Sequence, residues 1–118
     1  MKKNELTFSQ IRGRVVAAPE LKSTKTGKTV ATFTLAYDTP QKTDKEGSHT
    51  SFVQVEMWEK IAEVFSPLLS KGLEVVIQGN FVQNRWKDEN GKNRSNFRFN
   101  ASLVSIIDIH YQAQEKAA

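Results

Sequence analysis

The sequence predicts an all-β domain in which five strands and a single helix build one small barrel. Two patterns predict it: five segments alternate apolar with polar residues, and one segment has the spacing of an amphipathic helix. A third observation is size, because 118 residues of which 38% are hydrophobic suit a single small core. We therefore expect one domain over residues 1–108, followed by a short flexible tail over residues 109–118.

The first two strands are predicted over Ser9–Val15 and Thr29–Tyr37. In the first segment, apolar and small residues fall on one face and polar residues on the other. The second segment is rich in the β-branched and aromatic residues that strands favour. Between the two, Pro19 and Glu20 and the stretch Ser23–Lys28 have the composition of turns.

The third strand, Phe52–Met57, follows a polar stretch over residues 38–49 that predicts a long exposed loop. A helix is expected over Trp58–Lys71, where apolar residues recur at helical spacing. Pro67 should interrupt this helix, because proline has no amide hydrogen to donate. Gly72 should end it.

The fourth and fifth strands are predicted over Leu73–Arg85 and Ser95–Ile107, joined by a hairpin turn at Asp88–Gly91. Gly79, inside the fourth strand, indicates a bend or a bulge. Five strands with one helix between the third and the fourth are the layout of the OB-fold. This Greek-key barrel holds oligonucleotides or oligosaccharides.

The charge distribution favours a polyanionic ligand, and the residue types argue against an enzyme. The net charge is +4, and residues 12–28 and 85–98 carry local excesses of four and three positive charges. Cysteine is absent and His49 and His110 stand apart from other ligands, so we expect no thiol nucleophile, no metal and no cofactor. The longest apolar run, Val15–Ala18, is far shorter than the roughly 20 residues of a membrane span.

Two aromatic residues are expected on the outward face of the third strand. Alternation places Phe52 and Trp58 with Gln54 and Glu56, on the side opposite the core. Exposed rings suit either a subunit interface or stacking on flat ligands, and each stacked base contributes roughly 1–3 kcal/mol. The alternative is that Trp58 begins the helix and packs inward.

A third aromatic residue stands among cations near the tip of the predicted hairpin. Trp86 lies between Arg85 and Lys87, and Lys92 and Arg94 follow on the returning strand. A ring that stacks on a base beside cations that contact phosphates is typical of single-strand binding. The alternative is that Trp86 packs on its own hairpin with an arginine stacked over it.

The chain resembles the bacterial single-stranded DNA-binding protein family over about residues 7–107. The resemblance rests on short stretches that follow one another at family-like spacing: Ile11–Val15, Pro19–Leu21, Gly27–Ala36, Trp58–Glu63, Leu69–Val75, Ile77–Gly79 and Arg85–Arg94. It implies an OB-fold, assembled as a homotetramer, that wraps single-stranded DNA without sequence preference. It implies neither a cofactor nor catalysis.

By position, the resemblance assigns base stacking to three aromatics and phosphate contacts to several cations. The stackers are Phe52, Trp58 and Trp86, and the cations are Arg14, Lys60, Lys71, Arg85 and Arg94. The charge pattern of the hairpin adds Lys87 to the cations.

The sequence also departs from the family at several positions. Glu56 lies between the stackers and would oppose phosphates unless it pairs with a neighbour. Arg98 stands where relatives often carry an acidic residue. An aromatic that many relatives have in the loop before the third strand is missing here or is supplied by Tyr37. The acidic, hydrophobic C-terminal tip that recruits partner proteins in bacterial members has no counterpart in the sequence, so recruitment through such a tip is not inferred.

These observations predict a sequence-independent single-stranded DNA-binding protein of the cytoplasm, associated with the nucleoid and acting in replication, recombination and repair. One alternative is an OB-fold adaptor in a replication-restart or repair complex that binds DNA weakly and buries Phe52 or Trp58 between subunits. Another is an OB-fold that binds RNA or an oligosaccharide.

Overall fold

Six strands form one sheet that closes on itself in the computed structural model, which describes residues 8–40 and 48–107. The strands are β1 (Ser9–Val15), β2 (Glu20–Ser23), β3 (Thr29–Pro40), β4 (Ser48–Trp58), β5 (Glu74–Lys87) and β6 (Asn93–Ile107). One helix, α1 (Glu59–Phe65), follows β4 and continues into a 3₁₀ turn over Ser66–Leu68.

A closed circuit of five strands confirms the predicted OB-fold barrel. Strands β1, β5, β6, β4 and β3 are neighbours in that order, and β1 pairs again with β3, where Val15 lies opposite Leu35. Strands β4 and β6 run parallel, with Val55 opposite Phe99. The short strand β2 stands outside the circuit and pairs with the first part of β3.

Alternate side chains of the barrel strands point inward and form the core. On β4, Val53, Val55 and Met57 are buried, as the alternation predicts. Helix α1 packs against β3, β4 and β6 and buries Ala62 in the same core. Each large apolar side chain that is fully buried contributes about 1.5–3 kcal/mol, so these inward rows fix which face of each strand looks outward.

Strands β5 and β6 form a long antiparallel ribbon whose outer half extends past the barrel. Residues 82–87 of β5 pair with β6, and most of them are exposed. The expected irregularity at Gly79 is present as a register shift between Gln78 and Gly79. A Cβ atom at position 79 would overlap the carbonyl oxygen of Asn100, so only glycine fits this close approach of the two strands.

Some element boundaries differ from the prediction. The helix does not begin at Trp58, which is the last residue of β4. The interruption expected at Pro67 is present, because the α-helical segment ends at Phe65 and Ser66–Leu68 forms a 3₁₀ turn. Residues 38–49, predicted as a loop, are partly strand, because β3 and β4 remain paired through residues 38–40 and 48–50.

The sequence does not predict strand β2, since its end residues Glu20 and Ser23 fall in stretches with the composition of turns. All four of its residues are exposed, so no hydrophobic alternation marks it in the sequence. It exists because its backbone pairs with the edge of β3. The rest of the predicted loop, residues 41–47, and the predicted tail, residues 109–118, lie outside the described residues.

Candidate nucleic-acid interface

The side of β4 that faces away from the core carries both aromatics predicted there. Phe52 is 64% exposed and Trp58 is half-buried, with Gln54 and Glu56 between them on the same side. Trp58 is not among the described side chains that pack on the core. The alternative in which it turns inward with the helix is therefore wrong.

A cation stands in the same cross-strand row as Phe52. Ala36 of β3 lies opposite Phe52 on one side and opposite Arg14 of β1 on the other. Because residues in one row project to the same face of a sheet, Arg14 and Phe52 share the outward face. Two strand spacings, about 10 Å, separate their backbones, and only the small Ala36 side chain stands between them.

Trp58 occupies a similar row at the other end of β4. It lies opposite Val30 of β3, which in turn lies opposite Lys22 of β2. Lys22 is exposed and projects to the same face. Sequence reasoning does not single out Lys22, because the strand that carries it has no recognisable pattern.

The ribbon divides the predicted hairpin cluster between its two faces. Trp86, 47% exposed, lies opposite Arg94, and alternation places both on the face continuous with Glu56 and Phe52. Arg85 and Lys87 are neighbours of Trp86 in sequence and therefore project to the opposite face of the ribbon, where Arg85 Nη2 donates to Gln83 Oε1 at 2.9 Å. Trp86 therefore shares its face of the ribbon with Arg94, and Arg85 and Lys87 lie on the other face, but all four residues line one open concavity of about 550 Å³ at the end of the ribbon.

Asp88 organises the turn at the tip of the ribbon. Its Oδ1 accepts the backbone N–H groups of Asn90 and Lys92 at 2.9 and 3.0 Å, and its Oδ2 accepts Arg94 Nε at 2.9 Å. The Arg94 guanidinium, and after it the two amides, hold the pKa of Asp88 below its usual value. Gly91 adopts a positive φ of 77° in the hairpin turn predicted at Asp88–Gly91, a conformation that favours glycine.

Two further predicted cations lie off the sheet. Lys60 is on the first turn of α1, and Lys71 is on the turn that leads into β5. Both side chains are exposed. Neither lysine stands in the cross-strand row of Phe52 or of Trp86. Only a DNA strand that continues around the barrel past these rows would contact them.

Tyr37 does not replace the aromatic missing from the loop before β4. It is half-buried and packs against the core. Its side chain lies on the inward face of β3, whereas Ala36 and Phe52 lie on the outward face. This possibility, left open by the sequence, is therefore wrong for residue 37.

Glu56, which the sequence places awkwardly between the stackers, has a partner. Its Oε2 accepts a hydrogen bond from Arg98 Nη1 at 2.5 Å, and the pair forms a half-buried salt bridge. The opposite charges of Glu56 and Arg98 thus compensate each other. Arg98 was not a predicted site residue, although its position beside Glu56 follows once β4 and β6 are known to run parallel.

Within the described ranges, no three acidic, histidine or cysteine side chains are grouped so as to hold a metal ion. No helix in this part of the chain has the length and apolar character needed to cross a bilayer.

Comparison with known proteins places these features in a family. The model of the "Single-strand binding protein family" matches residues 7–107. A single-stranded DNA-binding protein of Corynebacterium glutamicum is 34% identical over 97 residues, which are 78% of this chain and 43% of the relative. Proteins of the same name from Thermotoga maritima and Aquifex aeolicus are 32% and 34% identical, over 81% and 90% of this chain and 70% and 76% of their own lengths.

A solved structure described as a Plasmodium falciparum SSB complex with ssDNA shares the fold. Its TM-score is 0.79 at 24% identity, and the match covers 92% of this chain and all of that one. The chain spans about half the length of several of the relatives it matches. The match over residues 7–107 and the identities above 30% establish that the chain belongs to the single-strand binding protein family.

Proposed function

We propose that this protein binds single-stranded DNA without strong sequence preference by stacking bases on three aromatics and contacting phosphates with nearby cations. The observation that carries the proposal is the outward face itself. Phe52, Trp58 and Trp86 project to one continuous face, with Arg14 in the row of Phe52 and Arg94 opposite Trp86. The names of the relatives support the same substrate.

The two kinds of contact have different physical signatures. Stacking contributes roughly 1–3 kcal/mol for each base and tolerates any base, because every base presents a π-face. Each phosphate contact releases condensed counterions, so the logarithm of affinity falls with the logarithm of salt at a slope of about −0.7 for each contact. Arg14 and Arg94 would contact phosphates of the DNA on the outward face. Arg85 and Lys87 would contact phosphates only where the DNA passes around the edge of the ribbon.

The biological role follows from the substrate. A protein of this kind protects single strands and removes hairpins during replication, recombination and repair, in the cytoplasm on the nucleoid. Family membership supports a homotetramer as the working assembly. Catalysis and cofactors form no part of the proposal.

The adaptor remains the second candidate, and one observation bears on it. Glu56 favoured weak DNA binding as long as its carboxylate was unpaired, but the Arg98 guanidinium now neutralises it. Phe81 and Phe97, exposed on the reverse face of the ribbon, are the aromatics that a protein partner could cover.

A titration with poly(dT) at two salt concentrations, followed by tryptophan fluorescence, tests the proposal. Trp58 and Trp86 are the two tryptophans of the chain, and both are in the proposed site. Quenching that weakens at the higher salt is expected, and Trp58→Phe and Trp86→Phe then divide the signal. Absence of quenching and of binding at low salt would contradict the proposal and favour the adaptor.

A further inference from the structure

The outward face of β4 has a long gap between its two rings. Phe52 and Trp58 are six residues apart on one strand, which corresponds to about 20 Å. If one DNA strand stacks bases on both rings, the nucleotides between those bases must pass over Gln54 and Glu56. An intervening base that turns toward the sheet, as the two stacked bases do, would meet these two side chains.

Below this gap lies a polar concavity of about 300 Å³, lined by Lys22, Thr32, Gln54, Glu56, Asn96 and Arg98. It has no aromatic wall, so a base that enters it is bound by its edge rather than by its face. The volume is sufficient for one base. The lining carries two cations, Lys22 and Arg98, against the single carboxylate of Glu56, so charge alone does not select between a phosphate and a base edge.

The Glu56–Arg98 pair determines which base edge fits. Arg98 Nη1 donates to Glu56 Oε2, and the Arg98 side chain is still 40% exposed, so other guanidinium N–H groups remain free to donate. Oε1 of Glu56 accepts no hydrogen bond from the residues that the structure describes. The pair therefore offers a base guanidinium N–H donors beside a carboxylate whose oxygens can accept.

The Watson–Crick edge of guanine has the complementary groups, with O6 as the acceptor and N1–H and N2–H as the two donors. Thymine offers O4 as the acceptor and N3–H as one donor, but its O2 carbonyl oxygen would then face the carboxylate where guanine has N2–H. Adenine and cytosine present a donor where Arg98 needs an acceptor. Resting on the proposed DNA-binding function, we propose that the Glu56–Arg98 concavity is a guanine-selective subsite between Phe52 and Trp58.

The test compares 15-nucleotide oligomers of dT whose central base is thymine, guanine, adenine, cytosine or hypoxanthine, with tryptophan quenching of the unaltered protein as the readout. A single guanine for each oligomer avoids guanine quadruplexes. We expect the guanine oligomer to bind at least about five-fold tighter than the all-thymine one, which is the lower range for a good bidentate base contact. Hypoxanthine lacks the N2 amine and should bind at least two-fold more weakly than guanine.

Variants then assign the preference to the pair. Arg98→Gln and Glu56→Gln should each reduce the ratio of guanine to thymine affinity to less than about two-fold. The matched control is Arg12→Gln, which removes an arginine paired with Glu74 elsewhere on the barrel and should keep the ratio. Circular dichroism of each variant verifies folding.

Four results would overturn the subsite. One is equal affinity of the unaltered protein for guanine and thymine oligomers. Another is a ratio that survives Arg98→Gln, and a third is a uniform loss for every oligomer with a smaller salt slope, which is the signature of a phosphate contact. The fourth is no binding of any oligomer, which contradicts the proposed function as well, whereas binding without base preference contradicts the subsite alone.

Discussion

Arg98 and Glu56 form an ion pair with an N–O distance of 2.5 Å between side chains 42 residues apart in sequence. The pair joins β6 to β4 at their parallel contact, where Glu56 lies opposite Asn100. Its position in the middle of the outward face makes it both a structural link and a neutral region between the proposed stackers.

The first prediction concerns the contribution of this pair to stability. Arg98→Ala should lower the free energy of unfolding by about 1–2 kcal/mol, because it leaves a carboxylate that is only 15% exposed without its partner. Glu56→Gln combined with Arg98→Ala should recover part of that loss. Urea denaturation measures both. The Arg12–Glu74 pair is the comparison, because its carboxylate is about as buried, at 19% exposed, while its arginine is 61% exposed against 40% for Arg98; Arg12→Ala should therefore cost somewhat less than Arg98→Ala.

The second prediction separates the two faces of the ribbon. Trp86→Ala should weaken binding of a dT oligomer by about ten-fold, which is the loss of one stacked base. Phe97→Ala is the matched control, since Phe97 is 60% exposed but lies opposite Gln83 on the reverse face. Fluorescence anisotropy of a labelled oligomer measures both affinities. Equal losses of affinity in the two variants would mean that the DNA does not bind preferentially to the face of the ribbon that carries Trp86.

The outward aromatics were predictable because strand alternation is a local property. Val53, Val55 and Met57 identify the core side of β4, and the opposite side of Phe52 and Trp58 follows at once. The same alternation places Trp86 on one face of the ribbon and Arg85 and Lys87 on the other. The clustering of charges along the sequence does not reveal this division. Adjacent residues of a strand do not share a face.

Other features depend on pairing between distant segments, and the sequence does not state that pairing. Strand β2 is held by the edge of β3 alone, so nothing in its own four exposed residues signals it. The partner of Glu56 is known only once β6 is placed parallel to β4. A carboxylate such as Glu56, placed by alternation between proposed DNA-binding residues, nevertheless indicates that a cationic partner should be sought on a neighbouring strand.

The third prediction is the pH dependence of the ribbon turn. The pKa of Asp88 is lowered in the folded protein, chiefly by Arg94, so its ionised form is stabilised by folding. That contribution is fully present above the ordinary aspartate pKa of about 4 and is lost as the pH falls through the lower folded value. Hydrogen exchange of the Asn90 and Lys92 amides should therefore show less protection as the turn is acidified.

Asp88→Asn provides the control for the turn. The amide oxygen can still accept from the backbone, but it does not titrate and does not pair with the Arg94 charge. Protection in this variant should be lower at neutral pH and should change little over the same acid range. A pH dependence identical to that of the unaltered protein would show that another carboxylate is responsible.

The fourth prediction concerns the corner where β4 turns into α1. Glu59 has a positive φ of 51°, a conformation that costs a residue with a Cβ atom about 1–2 kcal/mol, and its Oε1 accepts the Thr29 N–H at 3.0 Å. Alanine and glycine both lose this hydrogen bond, but only glycine also removes the strain.

Glu59→Gly should therefore unfold with a free energy about 1 kcal/mol higher than Glu59→Ala, as measured by urea denaturation. At Glu63, an exposed position within α1, the order should reverse, because glycine in a regular helix is about 1 kcal/mol less stable than alanine. The two pairs of variants differ only in the backbone conformation of the substituted residue. If glycine were the less stable choice at both positions, the left-handed corner would not be a source of strain in this fold.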